Sequence, residues 1–157
     1  MSKFLLKART AHKTCREHID SLESQNTEIE SYLTEHILVI LCANVQQDIY
    51  SIIEARANKS GDDQLKLYSI ATCKRVLRSV LQSEVTGFIG NFGEDAKKYF
   101  TDNIDERKMI IYNNAVRNRH KTAHTSNATV TFREIDDIIE SAEHLLEEVE
   151  EAINLEK

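Results

Sequence analysis

The chain has 157 residues, of which 41% are hydrophobic and 29% are charged. This composition is normal for a soluble helical protein and predicts one domain over residues 1–157. The chain has no proline and only four glycines, so we expect long helices with short connections rather than a β-sandwich or a disordered tail. The net charge of −6 argues against nucleic-acid binding over the whole surface, but it leaves room for a local basic site.

The cysteines and the apolar runs predict a cytoplasmic protein without a membrane partner. Cys15, Cys42 and Cys73 are an odd number, lie far apart and fall in helical patterns, so we interpret them as reduced, partly buried thiols. The N-terminus is interrupted by charge too early for a signal peptide. The most apolar run, residues 37–45, is too short to span a bilayer.

Two helices are predicted in the first third of the chain. Apolar residues at helical spacing indicate a first helix from about Ser2 to Ser24. A second helix begins near Thr27, where Thr27 and Glu30 fit a capping box with Glu30 reaching back to the cap. It is apolar on nearly all sides, so we expect it to be central and to end near Asn58.

The middle of the chain is predicted to hold a loop, a helix and a packed turn. The polar run 58–63 indicates a loop, and the third helix is expected from about Asp63 to Gln82. Residues 87–93 contain three glycines and three large apolar residues, which suggests a packed turn between short helices. Their spacing fits neither the Walker nor the dinucleotide pattern of phosphate-binding loops.

Two further helices complete the predicted bundle of about five to six helices. One runs from Asp105 to about Ala123, and residues 125–130 are a predicted break. Thr131 and Glu134 fit a second capping box. The final helix follows with the cleanest apolar stripe of the chain, which makes the predicted fold class all-α.

Residues 117–124, which we call the Arg/His segment, contain two arginines and two histidines at the end of a predicted helix. Arginine is a fixed cation whose planar fork of donors suits phosphate. Histidine exchanges a proton near neutral pH. These side chains together can cleave a phosphodiester without a metal.

Ideal helical geometry divides this region into two adjoining rows. The packing row contains Tyr112, Val116, Arg119 and Ala123, and the polar row contains Asn113, Arg117, His120 and His124. Arg119 and His124 are five residues apart, so they do not share a face of an ideal helix. They meet only if the helix ends or distorts near Ala123, or if a second subunit completes the site.

The Arg/His segment resembles the motif of the HEPN superfamily of helical ribonucleases, an arginine followed by a histidine after four to six intervening residues. Arg119 to His124 matches the form with four, and Arg117 to His124 matches the form with six. The resemblance covers most of the chain and is strongest to the compact bacterial branch in which the motif helix ends in Ala-His. The chain departs from the family at Thr125, where glycine is common, and at Ser126, where a toxin subgroup has tyrosine.

The resemblance implies metal-independent RNA cleavage, in which the ribose 2′-OH attacks the adjacent phosphorus and leaves a 2′,3′-cyclic phosphate and a 5′-OH. His124 would transfer protons, Arg119 would bind the phosphate and stabilise its developing charge, and His120 would orient the phosphate or the other histidine. DNA would not be cut, because it lacks the attacking hydroxyl. The residues expected to hold neighbouring phosphates are Arg117, Asn118 and Lys121.

The resemblance also implies a homodimer whose motifs face each other across a two-fold axis. It implies no cofactor. The expected setting is a stress-response, toxin–antitoxin or antiphage system, in which an antitoxin or another system protein is a further partner.

Three alternatives stay open from the sequence. The chain can be a non-catalytic HEPN-like module for RNA binding or protein interaction. His120 and His124 have the i, i+4 spacing of metal ligands, but two ligands are too few and Lys121 beside them repels a cation. The segment can also be a basic helix end that satisfies the last carbonyls and the helix dipole.

A second basic group lies on the third predicted helix and comprises Lys74, Arg75 and Arg78. We interpret it as a solvated surface, with the extension of an RNA path as the alternative.

Overall fold

The computed structural model describes residues 3–122 and 130–155, which form seven α-helices and no β-strand. The all-α prediction is therefore confirmed, and the count exceeds the expected five to six because two short helices follow the third. The helices are α1 (Leu6–Ser21), α2 (Glu28–Asn58), α3 (Asp63–Val76), α4 (Gln82–Ile89), α5 (Glu94–Asn103), α6 (Glu106–Thr122) and α7 (Ile135–Asn154). Short 3₁₀ turns, Gly90–Phe92 and Phe132–Glu134, follow α4 and precede α7.

Helix α2 is the centre of the bundle, as its apolar sequence predicts. It contacts α1, α3, α6 and α7, and it buries a broad face that includes Ile37, Leu38, Cys42 and Ile53. Its length and hydropathy would also suit a membrane span, and half of its most apolar window is buried inside the protein. The contacts with four neighbouring helices account for the apolar sequence, so we interpret α2 as a core helix.

The two predicted helix starts are present. The Thr27 Oγ1 accepts a hydrogen bond from the backbone N–H of Glu30 at 3.5 Å, whereas the Glu30 carboxylate accepts from the N–H of Asn26, one residue before the predicted cap. At the second start, the Glu134 Oε2 accepts from the N–H of Thr131 at 2.7 Å and closes a capping box. These local signals set where α2 and the 3₁₀ turn before α7 begin.

The predicted end of the third helix at Gln82 is wrong, because α3 ends at Val76. Leu77 is extended and buried, and its carbonyl accepts a hydrogen bond from the Gln46 side chain of α2 at 3.0 Å. At Leu77 a tertiary hydrogen bond thus replaces a helical one. The spacing of apolar residues along the chain does not show this replacement.

The glycine-rich stretch is a shorter turn than predicted. Gly87 lies inside α4, and the chain turns over Gly90–Phe92. Gly93 has a φ of 119°, a conformation that favours glycine, and it leads directly into α5. The expectation of short helices on both sides of a turn is confirmed, but the turn itself occupies the second half of the stretch.

All three cysteines are free thiols and buried, which agrees with their interpretation as packed side chains.

A charged cluster joins α1 to the start of α7. The His12 ring is buried, its Nδ1 lies 3.2 Å from the Asp136 Oδ1, and its centroid is 5.0 Å from that of Phe132. The Arg16 guanidinium lies 2.6 Å from the other Asp136 oxygen. Burial lowers the pKa of His12 below its usual 6.5; Asp136 acts in the opposite direction, and Arg16 lowers the pKa further.

We expect His12 to make the fold less stable in mild acid. Its pKa is lower in the folded than in the unfolded chain, so its contribution is present above pH 6.5 and is lost as the pH falls through the folded pKa. Urea unfolding of the full chain at several pH values should show this loss, and His12→Gln should reduce it. His18→Gln, an exposed residue of the same helix, is the matched control. Equal pH profiles for the wild type and His12→Gln would contradict the assignment.

Candidate functional site

Helix α6 carries the Arg/His segment. Its inner side faces the core of the bundle, and its outer side is exposed. Its inner side buries Met109, Tyr112, Ala115 and Val116. At its start, the Asp105 N–H donates to the His144 Nε2 of α7 at 2.9 Å, and Lys108 pairs with Glu140 of α7 at 3.0 Å. The helix is therefore held at its beginning by α7 and presents the segment at its other end.

Arg119 continues the inner row of α6, as the spacing predicts. Its side chain is partly buried, and its charge acts on Cys42 of α2 and on Tyr112, two turns earlier in the same row. Burial raises the pKa of the Cys42 thiol to about 11, and the Arg119 guanidinium opposes this rise. Burial likewise raises the pKa of Tyr112 well above 10. Both neighbours are therefore uncharged at neutral pH.

Tyr112 fixes α6 against the segment between α3 and α4. Its side chain is fully buried, and its hydroxyl donates to the carbonyl of Val80 at 2.7 Å. The next residue, Asn113, accepts a hydrogen bond from the N–H of Gln82 at 3.0 Å. The position of Arg119 is thus set by contacts two turns earlier in the same helix.

The remaining predicted residues differ in how the structure places them. Arg117 is exposed and lies one turn after Asn113, on the same edge of α6. Asn118 is only 3% exposed, which disfavours the predicted direct contact with a neighbouring phosphate. For His120 and Lys121 the structure describes the helical backbone alone.

His124 lies outside the described residues, together with the rest of 123–129. The convergence of Arg119 with His124 therefore stays a prediction. Within residues 3–122 and 130–155, no group of three or more histidine, cysteine or acidic side chains is arranged to hold a metal ion.

Asp48 of α2 has a structural role. The Asp48 Oδ2 accepts hydrogen bonds from the N–H of Leu5 at 2.8 Å and from the Asn44 side chain at 3.2 Å. Asp48 therefore anchors the chain where it enters α1, and burial raises its pKa. Sequence reasoning placed Tyr112 on the row of Arg119, but it missed Cys42, since one cysteine in an all-apolar helix gives no signal.

The comparison with protein families decides what this bundle is. The sequence model of the RiboL-PSP-HEPN family matches residues 10–155, which is nearly the whole chain. The chain belongs to this family. It is therefore a member of the HEPN superfamily with an RNase-like or RNA-related function. No curated protein and no solved structure matches the chain.

Removing the Tyr112 hydroxyl should destabilise this HEPN domain. Tyr112→Phe leaves the Val80 carbonyl without its donor in a buried position, and an unsatisfied buried group costs about 1–3 kcal/mol. Urea unfolding should show this loss in the free energy of unfolding. Tyr68→Phe, a residue that is 67% exposed, should be unchanged, and equal losses in both variants would refute the role given to Tyr112.

Proposed function

We propose that this HEPN protein is a metal-independent endoribonuclease. The observation that carries the proposal is the position of Arg119, a partly buried cation at the motif end of α6 whose charge reaches the buried Cys42 and Tyr112. Membership of the RiboL-PSP-HEPN family supports the RNA substrate.

The surroundings of Arg119 suit the stabilisation of a phosphorane-like transition state. Electrostatic interactions are stronger in partly buried surroundings than in bulk water. A guanidinium held in place by packing needs little reorganisation when charge develops on the phosphate oxygens. The neutral Cys42 and Tyr112 supply bulk and order there without adding negative charge.

The proposed reaction needs no external reactant. The 2′-OH oxygen attacks the adjacent phosphorus and the 5′-oxygen leaves, so a 2′,3′-cyclic phosphate and a 5′-OH are formed. His124 moves the proton, as the family motif implies. His120 orients the phosphate or the other histidine, and the exposed Arg117, with Lys121, holds neighbouring phosphates.

We further propose that the active form is a homodimer. The outer side of α6 exposes Ile110 and Ile111, which are 62% and 39% exposed, and Arg117 follows Ile110 by about two helical turns on the same side. Apolar side chains beside the motif are suited to a second copy, because a two-fold contact there would bring two Arg/His segments together. The proposed setting is cytoplasmic, in a stress-response, toxin–antitoxin or antiphage system with a regulatory partner such as an antitoxin.

RNA cleavage in EDTA tests the catalytic proposal. The purified wild type should cleave RNA and leave a 2′,3′-cyclic phosphate, and DNA should stay intact. Arg119→Ala should lower the rate about 100- to 1,000-fold, and His124→Ala should lower it by at least about 100-fold.

The matched control is Arg107→Ala, since Arg107 is an exposed arginine at the opposite end of α6. It should keep the wild-type rate. Equal rates in all four proteins, or no cleavage by the wild type, would overturn the catalytic assignment. RNA binding without cleavage would instead favour the non-catalytic module.

A charge placed on the outer side of α6 should separate the proposed dimer. Ile110→Asp buries a carboxylate in the two-fold contact, so sedimentation should shift to the monomer mass and RNA cleavage should fall in parallel. Leu67→Asp, an equally apolar residue that is 67% exposed on α3, should leave both unchanged. A wild type that sediments as a monomer at all concentrations while it cleaves RNA would refute the composite site.

A further inference from the structure

A second basic surface lies at the end of α3 and just beyond it. It comprises Lys74, Arg75 and Arg78, all of which are exposed, and we call it the α3 basic patch. Lys74 and Arg75 stand in the last turn of α3, where cations interact favourably with the helix dipole. Arg78 lies past the helix end, and its Nε donates to the carbonyl of Arg75 in the last turn at 3.5 Å.

The α3 basic patch has no acidic counterpart in the part of the chain that the structure describes. No ion pair there joins Lys74, Arg75 or Arg78 to a carboxylate, whereas Arg9, Arg16 and Lys108 are paired across helix contacts. Three exposed cations of like sign repel one another and create a positive local potential. In a chain of net charge −6, such a local excess of positive charge favours an anionic ligand at this place.

The patch is joined to the helix that carries the Arg/His segment. The carbonyl of Leu77 bonds inward to α2 through Gln46, and the carbonyl of Val80 bonds inward to α6 through Tyr112. Arg78 lies between these two anchored residues and is exposed, so it stands on the outer surface where this segment crosses from α2 to α6.

The crossing point is close to Arg117. Gln82 donates its N–H to Asn113 at 3.0 Å, and Arg117 follows Asn113 by one helical turn, about 5.4 Å along the axis. The segment that follows Arg78 therefore contacts α6 one turn before the exposed Arg117.

We propose that the α3 basic patch is a second phosphate-binding surface, which holds the backbone of the RNA strand several nucleotides away from the bond to be cleaved. This inference rests on the proposed function. Phosphate contacts carry no sequence information, so the patch sets how long an RNA must be for tight binding and leaves the choice of sequence to the Arg/His segment.

The test compares two double variants of the full-length protein that remove the same charge. Arg75→Gln with Arg78→Gln removes two cations of the patch. Lys97→Gln with Lys98→Gln removes two exposed cations of α5 and is the matched control. Fluorescence anisotropy measures the Kd for unstructured RNA oligonucleotides of about 4 and about 20 nucleotides over a range of salt concentrations.

The patch variant should bind the long RNA more weakly and with a shallower salt dependence. Each phosphate contact on a single strand contributes about 0.7 to the slope of log K against log salt, so the slope should fall by about 1.4. The short RNA should be bound as by the wild type, and the α5 control should match the wild type on both RNAs. Arg75→Lys with Arg78→Lys keeps the positive charge, so it should keep the wild-type slope. This variant distinguishes a loss of charge from an effect of the substitutions on folding.

Other outcomes overturn the inference in distinguishable ways. A patch variant that binds like the α5 control refutes the second surface, and so does an equal loss on the short and the long RNA. If the wild type cleaves RNA but the patch variant does not show the expected weaker binding of the long RNA, the proposed function stands and the inference fails. If the wild type binds neither RNA, both fail together.

Discussion

The candidate site depends on one contact, the hydrogen bond that the buried Tyr112 of α6 makes with Val80. Its ring fills the inner side of the helix, and its hydroxyl satisfies the carbonyl of Val80 in a place that water does not reach. A helix held this way cannot rotate without leaving a buried carbonyl unpaired, which costs more than most surface contacts contribute. Arg119, two turns later on the same row, therefore has a defined place on the inner side of α6.

The distribution of charge follows from the same packing. Cations that lie between helices are paired with carboxylates, as Arg9 is with Glu143 and Lys108 with Glu140, both on α7. Those pairs sit on the side of the bundle formed by the acidic last helix. Arg117 of α6 and the cations at the end of α3 are exposed instead, so a chain that is acidic overall retains exposed positive charge on these two helices.

Much of the helical layout could be predicted, because its signals are local. The Thr27 and Thr131 starts depend on side chains three residues apart, and the apolar stripes of α2 and α7 depend on spacing alone. The family match agrees with the resemblance found in the motif. The end of α3 could not be predicted in this way, because the bonds that hold Leu77 and Val80 come from Gln46 and Tyr112, which lie far away in sequence.

The sequence by itself determined an all-α HEPN bundle, the row that leads from Tyr112 to Arg119, and the residue types needed for metal-free RNA cleavage. Only the tertiary structure decided that Asn118 is buried, that Asp48 anchors the N-terminal chain, and that the charge of Arg119 acts on the buried Cys42. The physical reason is that the spacing of apolar residues predicts which side of a helix faces the core. The burial and the polar partners of a given side chain depend on the helices that pack against it.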